Sequence, residues 1–129
     1  MRAALWPDDD DCETSIAGYF AALDPDVVTL MAFDSEQQPV GFAEVGTRAY
    51  AEGCESSPVA FLEGWYVIPE ARWTGAGRAL VAAAEDWARL RGFQELGSDT
   101  ELRNEAAINA HKALGFEETE RIVCFLKRL

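Results

Sequence analysis

Between Val67 and Arg78 an apolar run ends, a short loop follows, and a long amphipathic pattern begins. Arg72, Gly75 and Gly77 stand in that loop at a spacing of three and then two. The order is strand, loop, helix, the first step of a strand–helix–strand–helix–strand alternation through the second half that reads as an α/β sandwich. Such a junction aims several backbone N–H groups at one point, with the positive end of the helix dipole behind them. Glycine has no Cβ, so an anion can approach the main chain closely there. Arg72 and Arg78 add positive charge on either side. Trp73, Thr74, Gly75, Ala76, Gly77 and Arg78 therefore read as a pyrophosphate cradle.

Two common cradles are excluded by their residues. A nucleoside-triphosphate loop places Lys and then Ser or Thr after its last glycine, whereas Arg78 and Ala79 follow Gly77 here. A dinucleotide fingerprint needs a third glycine and an acidic ribose partner after the next strand, and neither stands at the right place. The chain has 129 residues, enough for one domain spanning 1–129. Eleven Lys and Arg against 23 Asp and Glu leave a net charge of −12, which speaks against nucleic acid as a partner. The same acidity fits either a cationic substrate drawn to an acidic cleft or a solubility feature. No apolar run reaches the ~20 residues of a membrane span, and the N-terminus has no signal-peptide pattern. Cys12, Cys54 and Cys124 are odd in number and lack paired spacing. They read as reduced thiols of a cytoplasmic protein and not as a disulfide frame or metal site.

Periodicity places the remaining elements. An acidic run from Asp8 to Asp11 can cap a helix from Cys12 to Leu23. Strands are expected over Val27–Phe33, Val40–Tyr50 and Val59–Ile68, with a loop from Ala51 to Pro58. Leu80, Ala84, Trp87 and Ala88 recur at helical spacing and Gly92 ends that helix. Phe93–Ser98 reads as a short strand, Asn104–Leu114 as a helix closed by Gly115, and Phe116 onward as a strand reaching Leu126.

An Asn-led helix ending in Gly115-Phe116, together with the Arg72–Gly77 loop, resembles the last motif and the coenzyme A loop of the GCN5-related N-acetyltransferases. Ser57-Pro58-Val59, Phe61-Leu62-Glu63-Gly64, Ser98-Asp99 and Leu114-Gly115-Phe116-Glu117-Glu118-Thr119-Glu120 are similar, more narrowly, to the resistance-type aminoglycoside 6′-N-acetyltransferases. The likeness runs from about Leu5-Trp6-Pro7 to the C-terminus. It implies an α/β sandwich with a mixed, mostly antiparallel sheet flanked by helices. It also implies acetyl-CoA as cosubstrate, no metal, a cationic aminoglycoside as acceptor, direct attack by the 6′-amine, and a homodimer. Five residues precede Trp6, where relatives carry a first strand and the start of a helix, so a thinner core or an open sheet edge is expected.

The resemblance also assigns residues. Trp65, Tyr66 and Val67 would line the pantetheine arm, the amides of Trp73 to Arg78 would take the pyrophosphate beside Arg72, and Asn104 would meet the arm from the opposite side. Trp65 and Tyr66 equally fit ordinary alternation on a strand. Glu63 stands in an otherwise apolar strand, where a carboxylate is costly without a task or a partner. Asp99 follows a strand at its C-terminal end, where α/β sheets place their sites; a turn or cap role fits the same residue. The family binds acceptor amines at these two positions and has the aspartate as candidate general base. Trp6, Tyr50 and Glu120 match further acceptor-contacting positions, though each reads alone as structural. His111 falls where relatives carry a tyrosine proposed as general acid, and a packed or solvated histidine is the plain alternative. Direct transfer needs no enzyme nucleophile, so Cys54 and Cys124 are expected to be non-catalytic. Transfer to another polyamine or peptide amine, and a coenzyme-binding module of little activity, are the competing readings.

Overall fold

The computed structural model describes residues 1–9, 11, 17–18 and 24–129, and the helix expected over Cys12–Leu23 lies outside the described residues apart from Ala17 and Gly18. Its packing divides the chain into Met1–Asp99 and Thr100–Leu129.

In the first unit, α1 (Arg2–Leu5) precedes strands β1 (Val28–Phe33), β2 (Pro39–Arg48) and β3 (Val59–Val67). Helix α2 (Ala76–Leu90) and strand β4 (Leu96–Ser98) follow. The sheet order is β1-β2-β3-β4; β1 and β3 run antiparallel to β2, while β4 runs parallel to β3. The parallel pair requires a crossover, and α2 supplies it. α2 packs on β1, β2 and β3 through the buried Leu80, Val81, Ala84 and Ala88, one apolar stripe at helical spacing. The sheet contributes Phe42, Ala43, Val45, Val59, Ala60, Phe61 and Leu62 to the core, all nearly inaccessible.

Trp6 follows the four-residue α1, and a Cβ at Gly64 would come within 2.4 Å of its indole. The opposite face of β3 meets α2, since a Cβ at Gly77 would lie 2.8 Å from the Trp65 ring. Alternation along β3 thus puts Gly64 and Tyr66 under α1, and Trp65 and Val67 under α2.

Two sequence expectations need correction. The strand expected over Phe93–Ser98 is confined to Leu96–Ser98. Gly92 takes a positive φ of 85°, Phe93 N–H donates to the Ala88 carbonyl, and the Phe93 ring stacks on Trp87 at 6.0 Å. Those residues close the helix in the manner of a left-handed C-cap, so the strand starts later. The strand expected from Phe116 to Leu126 is absent among the described residues. Its composition favours strand, but strand is defined by a ladder, and no neighbour supplies one for this segment. In this second unit, α3 (Glu105–Ala113) is capped by Asn104, whose Oδ1 accepts from Ala107 N–H at 3.0 Å. Arg121 and then Lys112 hold the exposed Glu118 carboxyl down at about 2.

Leu62→Ala removes a fully buried side chain from the central strand and should cost about 2–5 kcal/mol in denaturant unfolding. Leu90→Ala, at an exposed position of α2, should stay within about 0.5 kcal/mol of the parent. Equal effects at the two positions would contradict this core.

Candidate active site

The β2–β3 ladder carries one irregularity. Glu44 pairs with Gly64 and Val45 with Leu62, so Glu63 is the surplus residue of a β-bulge. A bulge disrupts the ladder locally and re-aims the side chain it carries. β4 pairs with Ala60, Phe61 and Leu62 only, and the two strands part beyond Leu62 and Ser98. The bulge and the parting of the strands therefore fall at the same place.

Arg48 converges on that place from the end of β2. Its Nε donates to Glu63 Oε1 at 3.0 Å and its Nη2 to Glu63 Oε2, a side-on fork. Its Nη1 lies 3.9 Å from Asp99 Oδ2, and the guanidinium carbon sits 3.5 Å from the centre of the Phe61 ring. The Glu63 side chain is 33% exposed and that of Asp99 71%. Glu63 is thus tied within the fold, and Asp99 is the carboxylate that faces outward. The Glu63 hydrogen bond, outweighing partial burial, raises the affinity of Arg48 for its proton, with smaller contributions from the charges of Glu63, Asp99 and Glu52. Gly46 leaves room beside Glu63, whose Oε1 would stand 3.4 Å from a Cβ there. Glu44, Gly46 and Arg48 alternate onto one face of β2, and Glu44 is paired with Gly64 beneath Trp6. Trp6 consequently shares the face of the sheet that carries Arg48. Arg2 joins this face through Glu44, 2.8 Å away, and its guanidinium lies 4.9 Å from the Trp6 ring.

The loop from Ala49 to Pro58 carries Tyr50, which is well exposed. Its shape depends on Glu95, a residue sequence reasoning passed over. The Glu95 carboxylate accepts from the Glu55 and Ser56 N–H groups and from the Ser56 hydroxyl. Those bonds, the hydroxyl first, hold the Glu95 carboxyl below the ordinary carboxylate range. Cys54 lies against Ala51, Val59 and Phe61. Burial first, and then Glu95 and Glu52, push its thiol up, which makes it a poor nucleophile.

At the other end of β3, a 3-10 turn over Pro69–Ala71 leads to Arg72, whose Nε donates to the Val67 carbonyl at 3.1 Å. Trp73 has φ 68° and is fully exposed, while the Thr74 hydroxyl donates to the Ala71 carbonyl at 2.6 Å. The two glycines differ in what they do. Gly75 takes φ 95° as N-cap of α2 and its carbonyl accepts from Ala79 N–H. Gly77 instead keeps clear of the Trp65 ring. The first amides of α2, at Ala76, Gly77 and Arg78, have no preceding helical turn to bond to, which is the arrangement that suits an anion.

Three sequence-predicted residues belong to the second unit. Asn104 caps α3, as described. His111 donates from Nδ1 to the Ala107 carbonyl at 2.7 Å and meets Phe116 edge-on at 5.2 Å between ring centres. A carbonyl can only accept, so this bond fixes the proton on Nδ1. Glu120 is exposed in the irregular segment after α3.

Sequence reasoning missed Arg48. The signal was an arginine ending an alternating strand in a chain with a carboxylate in its next, apolar strand. Only the register brings the two together.

The sequence model described as Acetyltransferase (GNAT) family matches residues 1–116. Aminoglycoside N(6′)-acetyltransferase type 1 of Klebsiella aerogenes is 47% identical, over all of this chain and 87% of its own length. That of Stenotrophomonas maltophilia is 47% identical over 97% of this chain and 81% of its length. Among solved structures, AAC(6′)-Iy in complex with the bisubstrate analogue CoA-S-monomethyl-acetylneamine superposes with a TM-score of 0.91 at 37% identity, covering 100% of this chain and 88% of that one. AAC(6′)-Ih of Acinetobacter baumannii superposes at 0.90 and 38% identity, covering 99% and 87%.

Lowering the pH should release the Ala49–Pro58 loop in a definite window. A depressed carboxyl stabilises its bonded form above the ordinary carboxylate range, and that contribution is lost as pH falls through the lower, folded value. The Glu55 and Ser56 amide resonances should accordingly titrate below the ordinary carboxylate range and stop doing so in Glu95→Gln. Titration at the ordinary value would contradict the clamp.

Proposed function

The chain belongs to the acetyltransferase (GNAT) family, and we propose that it transfers acetyl from acetyl-CoA to the 6′-amine of aminoglycoside antibiotics, conferring resistance to them. Near full-length kinship with enzymes of that name supports the reaction. The observation that carries it at the level of chemistry is the opening of the sheet at Leu62. There the acid group at Glu63 and Asp99 stands at one end of the diverging segment of β3, and the N-terminus of α2 follows the other.

The thioester of acetyl-CoA supplies the acetyl group. In this reading the amides of Trp73 to Arg78, with Arg72 and Arg78, seat its pyrophosphate. Trp65 to Val67 line its arm, and family likeness assigns Asn104 to it as well and His111 either to its lining or, as the imidazolium, to protonation of the departing sulfur. Asp99 accepts a proton from the acceptor's ammonium. The nitrogen lone pair so released forms the C–N bond as the C–S bond breaks; the nitrogen then sheds a second proton to give the amide, and the departing thiolate takes one up. Glu63, Tyr50 and Trp6 form an acidic and aromatic lining suited to a polyamino sugar, and family likeness adds Glu120 to the acceptor's contacts. The whole chain, 1–129, then acts as one acetyltransferase domain.

Two further assignments accompany this reading. The first is a homodimer: Val123, Phe125, Leu126 and Leu129 are exposed on the segment after α3, as suits burial against a second copy. The second is a cytoplasmic location, on the strength of unpaired cysteines and a coenzyme found inside cells. Among the described residues no helix is long and apolar enough to cross a membrane. Sedimentation at micromolar concentration should show twice the chain mass, and a monomer there would contradict the dimer.

Thiol release from acetyl-CoA should depend on aminoglycosides that carry a 6′-amine and vanish with analogues that lack it. Turnover unaffected by that amine would overturn the assignment of the acceptor. Asp99→Asn should lose kcat on the order of 10²-fold. Gly77→Val should raise KM for acetyl-CoA by displacing the Trp65 ring, leaving acceptor KM nearly unchanged.

A further inference from the structure

The acceptor must bind as a cation and react as a neutral amine. Carboxylates that attract an ammonium also stabilise its protonated form, since an opposite charge within a few ångströms favours the charged state. An acidic pocket left to itself would bind well and release the proton poorly. The structure holds a counterweight at that position. Arg48 lies between Glu63 and Asp99, forked onto the first and 3.9 Å from the second, with its flat face on Phe61. The fork on one side and the ring on the other restrict the guanidinium, and the side chain remains 38% exposed toward the space where a ligand would arrive. The charged groups that face it are Glu63 from β3, Asp99 after β4, and Glu52 from the turn after β2.

We propose that Arg48 is a positioning residue of the acceptor site, one that holds Glu63 and Asp99 in place and, as a resident cation, keeps them from trapping the acceptor's amine as ammonium. This inference rests on the acceptor-site reading given above. A guanidinium suits the role because it stays charged across the working pH range and presents a rigid fork. Relieved of Arg48, the two carboxylates would hold an incoming ammonium more tightly and give it up less readily to attack. Acceptor affinity and turnover would then move in opposite directions, which loss of a purely structural residue does not produce.

The test is Arg48→Gln and Arg48→Lys in the full chain, with kcat and KM for a 6′-amino aminoglycoside and for acetyl-CoA measured across pH. Arg48→Gln should lower acceptor KM about fivefold, the upper range for a partly exposed charge pair. It should also lower kcat, move the rise of kcat to higher pH, and leave the KM for acetyl-CoA unchanged. Arg48→Lys keeps the charge and should keep the parent pH profile. Should Arg48→Gln fail to fold with Glu63 left unpaired, Arg48→Gln/Glu63→Gln removes both ends of the fork and should bring the pH profile back toward that of the parent. A raised acceptor KM with an unmoved pH profile in the Gln variants would overturn the proposal. The acceptor-site reading fails separately: it falls if Glu63→Gln and Asp99→Asn both leave acceptor KM unchanged, whereas altered KM in those two beside an unmoved profile at Arg48 defeats only this inference.

Discussion

One surplus residue in β3 organises the first unit of this protein. A strand paired on both sides along its whole length keeps a strict alternation of faces and leaves no opening in the sheet. Glu63 breaks that alternation at the point where β4 stops pairing. The residues before it, Val59 to Leu62, are core and nearly inaccessible; those after it, Gly64 to Val67, are only half-buried and carry Trp65 and Tyr66. The bulge thereby divides one strand into a structural half and a half that can serve a ligand. It also accounts for a carboxylate in the middle of an apolar strand, because the re-aimed side chain reaches Arg48.

Packing on both faces follows from this division. Gly64 admits Trp6 from one side and Gly77 admits Trp65 from the other, so two close approaches flank the diverging segment. Either glycine replaced by a larger residue would push a tryptophan out of its seat. The start of α2 is positioned in the same way, through Trp65 and Val67 beneath it and the positive φ of Gly75 before it. The helix N-terminus is therefore fixed to the sheet.

The acidity of the chain is locally tempered where the chemistry is expected. Three ion pairs near the sheet face, Arg2 with Glu44, Arg48 with Glu63 and Arg48 with Asp99, commit basic residues of a base-poor chain to this region. Such pairs contribute modestly to stability when partly exposed. Their spacing matters more for geometry, since a forked arginine orients a carboxylate that would otherwise rotate freely. Glu95 applies the same logic on a loop, where one carboxylate gathers two amides and a hydroxyl around Ser56.

The sequence by itself determined the order of elements from Val28 to Ala113, the glycine loop, the capping of α3 by Asn104 and the family, because each rests on local periodicity, local turn chemistry or a contiguous motif. It also marked Glu63 as a carboxylate in need of a partner. It could not name that partner, since Arg48 lies fifteen residues away and meets Glu63 only through the β2–β3 register and its shift. The same holds for Glu95, whose partners lie about forty residues earlier. The two failed strand readings have a matching cause. Phe93 has strand propensity, yet helix closure onto Ala88 claims it, and residues 116–129 have strand composition without a ladder to join. Tertiary structure decided these points because a strand, an ion pair and a bulge are each relations between distant segments, and propensity along one segment carries no information about its neighbour.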